Sequence, residues 1–197
     1  MVAEPKESEF EPLGLTCTST ECEQNLHCFR ATRKMRKQNE AGKCRSCGVE
    51  LVDWERVRKR DSADAAYTVE MMKLERIRHE FWHKSIDEKA MNHARRKGRS
   101  GLRVAAEHII SKRVAPAEPK RDGMQTPYDG HVVHYAQHAT ATCCRKCVEY
   151  WHGIEMGREL TEGELRYLTD LVLLFIDQRL PDLKEQPEKV PNVRRKK

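Results

Sequence analysis

The segment Gln137-His138-Ala139-Thr140-Ala141-Thr142-Cys143-Cys144-Arg145-Lys146-Cys147-Val148-Glu149-Tyr150-Trp151-His152 holds three thiols and two imidazoles in sixteen residues. Thiolate and imidazole together suit zinc, which takes four such ligands in a structural site and keeps one position open in a catalytic one. If residues 142–152 are helical, Cys144 and Cys147 lie three apart and Cys143 and Cys147 four apart, so either pair can point at one ion. His152 falls two turns beyond Cys144, and His138 lies just upstream. The expected shell is therefore His138, Cys144 (or Cys143), Cys147 and His152. The spare cysteine is a small apolar residue or an open-site ligand. His134, on the same face as His138 if residues 131–136 form a strand, is held in reserve.

A second thiol group lies near the N-terminus. Cys44-Arg45-Ser46-Cys47-Gly48 is a knuckle pattern: two thiolates three apart grip one ion, and the glycine permits a tight turn whose amides face sulfur. The partner pair must come from Cys17, Cys22, His27 and Cys28. Cys17-x4-Cys22 is the preferred choice for a zinc ribbon, with residues 26–31 as a following strand, and Cys28 is then a core residue or substitute ligand. Two zinc ions are the expected cofactor.

A third pattern, His79-Glu80-Phe81-Trp82-His83, matches the H-E-x-x-H spacing of zinc proteases. Ile86 and Lys89 stand where one continuation of that motif needs glycine and histidine. Glu107 is the candidate third ligand of another variant, but Arg76, Arg78 and Lys84 crowd the motif with positive charge, which disfavours a dication. The favoured reading is two polar positions on an amphipathic helix.

The elements that must carry these groups are thinly hydrophobic. Of 197 residues, 35% are charged, 38% hydrophobic and 6% aromatic, so metal staples would help small parts hold together. All eight cysteines fall between 17 and 47 or between 143 and 147, unlike an evenly spread disulfide scaffold. The acidic N-terminus lacks a secretory apolar stretch, and the longest apolar run, residues 171–176, is too short to span a bilayer. A cytoplasmic protein with reduced thiols is expected, with no membrane partner. The net charge of +6 is concentrated in basic runs. Arg33, Lys34, Arg36 and Lys37, then Arg58, Lys59 and Arg60, then Arg95 and Arg96 are candidate contacts to a phosphate backbone. The bland alternative is a set of solvated helix faces.

The expected fold is α+β and mainly helical: a small N-terminal zinc ribbon, central helices and a C-terminal Cys/His metal-binding helical domain. The boundaries are a disordered leader over 1–15, a ribbon module over 16–60, helices over 61–114, the Cys/His domain over 115–183 and a basic disordered tail over 184–197. Apolar residues at helical spacing predict one helix over 68–97, ended by Gly98 and Gly101, and another over 102–113. Pro116, Pro119, Gly123, Pro127 and Gly130 mark a long connector. Residues 131–136 read as a short strand and 142–151 as a helix. Thr161 and Glu164 form a capping box that opens a final helix stopped by Pro181.

The run Ala117-Glu118-Pro119, Asp122-Gly123-Met124-Gln125-Thr126-Pro127, Gly130-His131, Gln137 to Arg145, Cys147 and Trp151-His152-Gly153-Ile154 resembles an uncharacterised bacterial family known only as a domain of unknown function. The resemblance covers residues 100–182 and implies a domain without implying an activity.

The functional expectation is a cytosolic zinc-binding protein that engages DNA, RNA or a nucleoprotein through its basic runs, a binding role favoured over an enzymatic one that the sequence leaves open. One alternative is a nuclease-like, metal-dependent hydrolase with an open C-terminal zinc assisted by Glu149. Another is a thiol enzyme using Cys143 or Cys144 at a helix N-terminus, where the dipole lowers thiol pKa.

Overall fold

The computed structural model describes residues 14–190. Its helices are α1 (Arg33–Lys37), α2 (Trp54–Arg58), α3 (Ala65–Lys73), α4 (Arg76–His83), α5 (Glu88–Arg113), α6 (Val132–Ala139), α7 (Arg145–His152) and α8 (Glu162–Arg179), with single 3-10 turns at Cys22–Gln24 and Ser62–Asp64. The protein is mainly helical, and the only β pairings among the described residues are isolated bridges, Glu21 with Leu26 and His27 with Glu75. The β component is thus smaller than expected: residues 26–31 form no ribbon strand. Residues 131–136, expected as a strand, lie at the start of α6, where the His131 side chain accepts the Val133 amide as an N-cap.

The expected helix over 68–97 is three pieces. Glu75 is extended (φ −91°, ψ 126°) and ends α3, because its carboxylate is drawn into the interior. Lys84 turns the chain again, and Asp87 starts α5 by accepting the Ala90 amide at 2.9 Å. The expected break near Gly98 is a kink inside α5 (φ 64°, ψ 174°). A Cβ there would sit 2.5 Å from the Glu185 carbonyl oxygen, so glycine is what lets residues 184–188 dock against this helix. That docking, with the Glu188 amide donating to Arg95 O at 2.9 Å, orders the first part of the expected basic tail. The leader over 1–13 and the tail over 191–197 lie outside the described residues.

Helix α8 opens with the capping box as expected: the Glu164 amide donates to Thr161 Oγ1 at 3.2 Å and the Thr161 amide to Glu164 Oε2 at 2.9 Å. Its buried Leu168, Leu171, Val172, Phe175 and Ile176 meet Leu102, Ala106 and Ile110 of α5 in a single core, each burial being worth about 1.5–3 kcal/mol for the larger side chains. That core continues across positions 60 and 114. Phe29 and Trp54 pack on the fully buried Trp151 at ring-centroid distances of 6.0 and 5.1 Å, joining the N-terminal segment to α7. No helix among the described residues is long and apolar enough to cross a membrane.

Candidate metal centres

Cys22, His27, Cys44 and Cys47 offer ligand atoms that all lie within 4.8 Å of one another, so this group can hold a metal ion. The local chain explains the convergence. Cys22 opens a 3-10 turn, Asn25 in the left-handed region (φ 59°) reverses the chain, and the Glu21–Leu26 bridge closes the loop. His27 is then pinned to the α3–α4 junction, its amide donating to Leu74 O at 2.7 Å and its carbonyl accepting from the Arg76 amide at 2.8 Å. Its Nε2–H donates to Asn25 Oδ1 at 3.0 Å, which fixes the tautomer and leaves Nδ1 facing Cys47 Sγ at 3.5 Å. Metal-ligating imidazoles are held in this way. Cys22 and Cys44 sulfurs lie 3.8 Å apart.

Burial opposes ionisation of Cys44, but backbone hydrogen bonds at Cys47, Cys28 and Ser46, with His27, outweigh it and bring the thiol to about 6. Burial and neighbouring thiols push Cys22 up to about 11. A bound cation would have to displace that proton, so affinity should rise with pH.

This group departs from the expected one. His27 occupies the place given to Cys17, because the left-handed turn at Asn25 brings the imidazole back toward Cys22. Cys28 is fully buried, raised to about 11 chiefly by burial, and its thiol donates to Cys17 O at 3.4 Å; it behaves as the core residue of the two options.

The second group is Cys143, Cys144 and Cys147, all buried and likewise within 4.8 Å of one another. Sequence reasoning allowed only one of the vicinal thiols on the Cys147 face because it began the helix at 142. In fact α7 begins at Arg145, and Cys144 is extended (φ −162°, ψ 164°), so both thiols can turn toward Cys147. The connector over 115–130 holds this approach. Asp122 Oδ1 accepts the Arg145 amide at 2.9 Å, and Thr126 Oγ1 donates to Cys143 O at 2.8 Å. Beside it, Gln137 Nε2 donates to Thr142 O at 3.0 Å.

The expected imidazoles stand outside this group. His138 Nε2–H is shared by Thr126 O and Pro127 O, both at 3.2 Å, and its ring stacks on Phe81 with centroids 4.5 Å apart. His152 Nε2–H donates to Thr140 O at 3.1 Å. Burial holds both near 4, well below an ordinary histidine. His134 gives its Nδ1–H to Asp129 O at 3.0 Å and its ring neighbours His131. The helical path of α6 sends the His134 and His138 rings away from the thiols, while His152 at the end of α7 turns to Thr140 O.

Electrostatics at the second group centre on Arg78, which is 1% exposed. It donates to Cys147 Sγ at 3.1 Å, to His138 O at 2.6 Å and to Glu75 Oε2 at 3.2 Å. Glu75 also accepts from Trp151 Nε1 at 2.7 Å and from the Tyr150 hydroxyl. Burial raises the Glu75 carboxyl, with Arg78 and these two donors opposing the rise. Hydrogen bonds from Cys143, Cys144 and Cys17 hold the Cys147 thiol far below its usual range, against burial and with help from Arg78. Cys143 is raised by Cys144, Cys147 and burial; Cys144 reaches about 11, the lowering by Cys143 being outweighed by Cys147 and burial. Ionisation is therefore opposed at both of the thiols proposed as nucleophiles. Glu149, proposed as an assisting base, accepts the Met156 amide at 3.3 Å.

A cavity of about 470 Å³ lies alongside, lined by Arg30, Arg36, Arg58 and Lys146 with Trp54 and Tyr150 among its aromatic walls. None of the four cations is ion-paired among the described residues, and the Arg58 guanidinium sits 5.8 Å from the Trp54 ring centre. Arg30, Lys146 and Tyr150 also line a smaller cavity of about 200 Å³ with Cys17, Cys144 and Cys147. Of the basic residues singled out from sequence, Arg36 and Arg58 face the groove. Arg33, Lys34 and Lys37 share α1 with Arg36, and Lys59 follows Arg58. Arg60 turns inward to His152 O at 3.3 Å, while Arg95 and Arg96 lie on α5, Arg95 beside the docked C-terminal segment. Arg30 heads the basic run that continues through Arg33, Lys34, Arg36 and Lys37 but was not among the residues singled out as contacts, and Lys146 was missed because the Arg145-Lys146 pair lies inside the thiol cluster, apart from the basic runs.

His79 and His83 rings lie 4.1 Å apart on α4, but His83 Nδ1–H donates to His79 O at 2.8 Å and Glu80 pairs with Arg76 at 3.0 Å. Among the described residues they form no metal-competent group with Glu107.

Residues 66–177 match the family described as Domain of unknown function (DUF4186). The chain belongs to that family. The match begins earlier than the resemblance over 100–182, taking in α4 with Arg78 as well as the Cys143–Cys147 group. It leaves Cys17 and the whole first group outside. No solved structure matches the chain.

Proposed function

We propose that this protein is a zinc-organised module that binds nucleic acid, with zinc in both Cys/His groups and a single strand lying in the basic groove. The observation that carries the reading is the groove itself: four unpaired cations beside Trp54 and Tyr150, next to the second thiol group. Cations track phosphates and aromatic rings accept bases, the combination that single-strand binders use. Zinc is favoured over other ions because the donors are thiolates and one imidazole.

The test is fluorescence anisotropy with labelled single-stranded DNA and RNA at graded salt. Each phosphate neutralised on a single strand contributes about −0.7 to the slope of log affinity against log salt, so four contacts give about −3. Arg58→Ala and Lys146→Ala should each reduce that slope by about 0.7. Absence of binding at low salt, or affinity independent of salt, overturns the reading.

A thiol-enzyme reading has one observation in its favour, the buried Cys147 sulfur 3.1 Å from the Arg78 guanidinium. Rapid alkylation of Cys147 in zinc-loaded protein would favour it over a closed zinc shell.

A further inference from the structure

We infer that Cys17 is the fourth ligand of the second metal centre, making it an all-thiolate zinc site whose shell joins residue 17 to residues 143–147. The inference deepens the zinc reading above and rests on it.

Three thiols converge at this centre, and a closed tetrahedral shell needs one more donor. The nearby imidazoles His138 and His152 turn their Nε2–H groups to backbone carbonyls, and neither lines the small cavity that holds Cys144 and Cys147. Glu75 is held by Arg78, Trp151 and Tyr150. The remaining thiol at the site is Cys17, which stands outside the group of three sulfurs within 4.8 Å of one another but lines one small cavity with Cys144 and Cys147. Its backbone is positioned for this by the turn in which the Ser19 amide donates to Thr16 O at 3.1 Å, and by the Cys28 thiol on Cys17 O at 3.4 Å.

Charge favours the same shell. Arg78 lies 3.1 Å from Cys147 Sγ, a position that would repel a bare dication. Four thiolates around zinc carry a net charge of about −2, so a guanidinium donating to one sulfur becomes a stabilising neighbour. Arg30 and Lys146, which line the same cavity, add to that compensation.

The consequence is an interleaved ligand order. Cys17 goes to the second ion, Cys22, His27, Cys44 and Cys47 to the first, and Cys143, Cys144 and Cys147 to the second. The family-matched region thus takes a ligand from outside its span, and the metal clamps the segment bearing Arg30 against α7, forming one wall of the groove.

The test compares the full chain with Cys17→Ser, Cys17→His and Cys28→Ser, all produced with zinc and freed of loose metal. Zinc per chain is measured by elemental analysis, release to a chelator is timed, and cobalt-substituted samples report thiolate number through sulfur-to-cobalt charge-transfer absorption. The wild type should hold two ions. Cys17→Ser should release one of them at least about tenfold faster, since even loss of an outer partner costs about 10–100-fold in affinity. Cys17→His should retain both ions with weaker charge-transfer absorption, which keeps the test valid if the serine variant folds poorly. Cys28→Ser should match the wild type. A Cys17→Ser protein with unchanged release and an unchanged cobalt spectrum overturns the assignment while leaving two-zinc binding intact. A wild type that binds no zinc overturns both.

Discussion

Replacing Arg78 by methionine should be among the most damaging single changes in this chain. The guanidinium is 1% exposed and makes three hydrogen bonds, to Glu75, His138 O and Cys147 Sγ. Methionine fills much of the volume, so the cost comes from what is stranded: a buried carboxylate, a buried carbonyl and a thiolate centre without their shared donor. Breaking a buried ion pair by removing one partner costs about 3–5 kcal/mol. For a chain of this size each kcal/mol moves the melting temperature by about 2–4 °C, which predicts a fall of about 6–20 °C. The assay is thermal unfolding followed by circular dichroism at fixed free zinc, with bound zinc measured in parallel. Arg78→Lys should fall between, because it keeps the charge and loses the fork that reaches three acceptors. Adding Glu75→Gln to Arg78→Met should restore part of the loss, with a coupling of about 0.5–3 kcal/mol. A melting temperature for Arg78→Met within about 2 °C of wild type, below about 1 kcal/mol, would refute the claim that this cation anchors the centre.

Asn25→Gly keeps a residue suited to the left-handed turn while removing the acceptor that fixes the His27 ring. Zinc affinity at the first centre should drop about 10–100-fold in chelator competition, and unchanged affinity would dissociate Asn25 from the site. The Glu164 carboxyl, held by Arg158 and by the Thr161 amide, is lowered from 4.5 to about 2. A depressed folded value means its stabilisation is complete above 4.5 and fades as pH falls toward 2. Urea midpoints of Glu164→Gln should therefore lie below those of wild type near neutrality and converge with them across that acid window; parallel curves would contradict the assignment.

Much of the site was legible before any fold was known. The knuckle at Cys44 and Cys47 follows from two thiols and a glycine within one turn, and the capping box of α8 is written in Thr161 and Glu164. Such features depend on residues within a few positions, where backbone geometry leaves few choices. The long predicted helix over 68–97 failed for a reason invisible to periodicity: Glu75 is pulled inward by Arg78, Tyr150 and Trp151, two of them about 75 residues away in sequence. The connector over 115–130 read as mere punctuation, although Asp122 and Thr126 hold the thiol loop in place.

The sequence by itself determined the inventory, eight cysteines in two clusters, and the local pairs Cys44 with Cys47 and Cys144 with Cys147. It could not determine which donor serves which centre. Loop-closure entropy changes only slowly with loop length, so pairing Cys17 with Cys22 or with Cys147 differs little from the chain's point of view. Tertiary packing decided between them: Phe29 and Trp54 against Trp151, and His27 pinned to the α3–α4 junction, place His27 in the first group and bring Cys17 to the small cavity that Cys144 and Cys147 line.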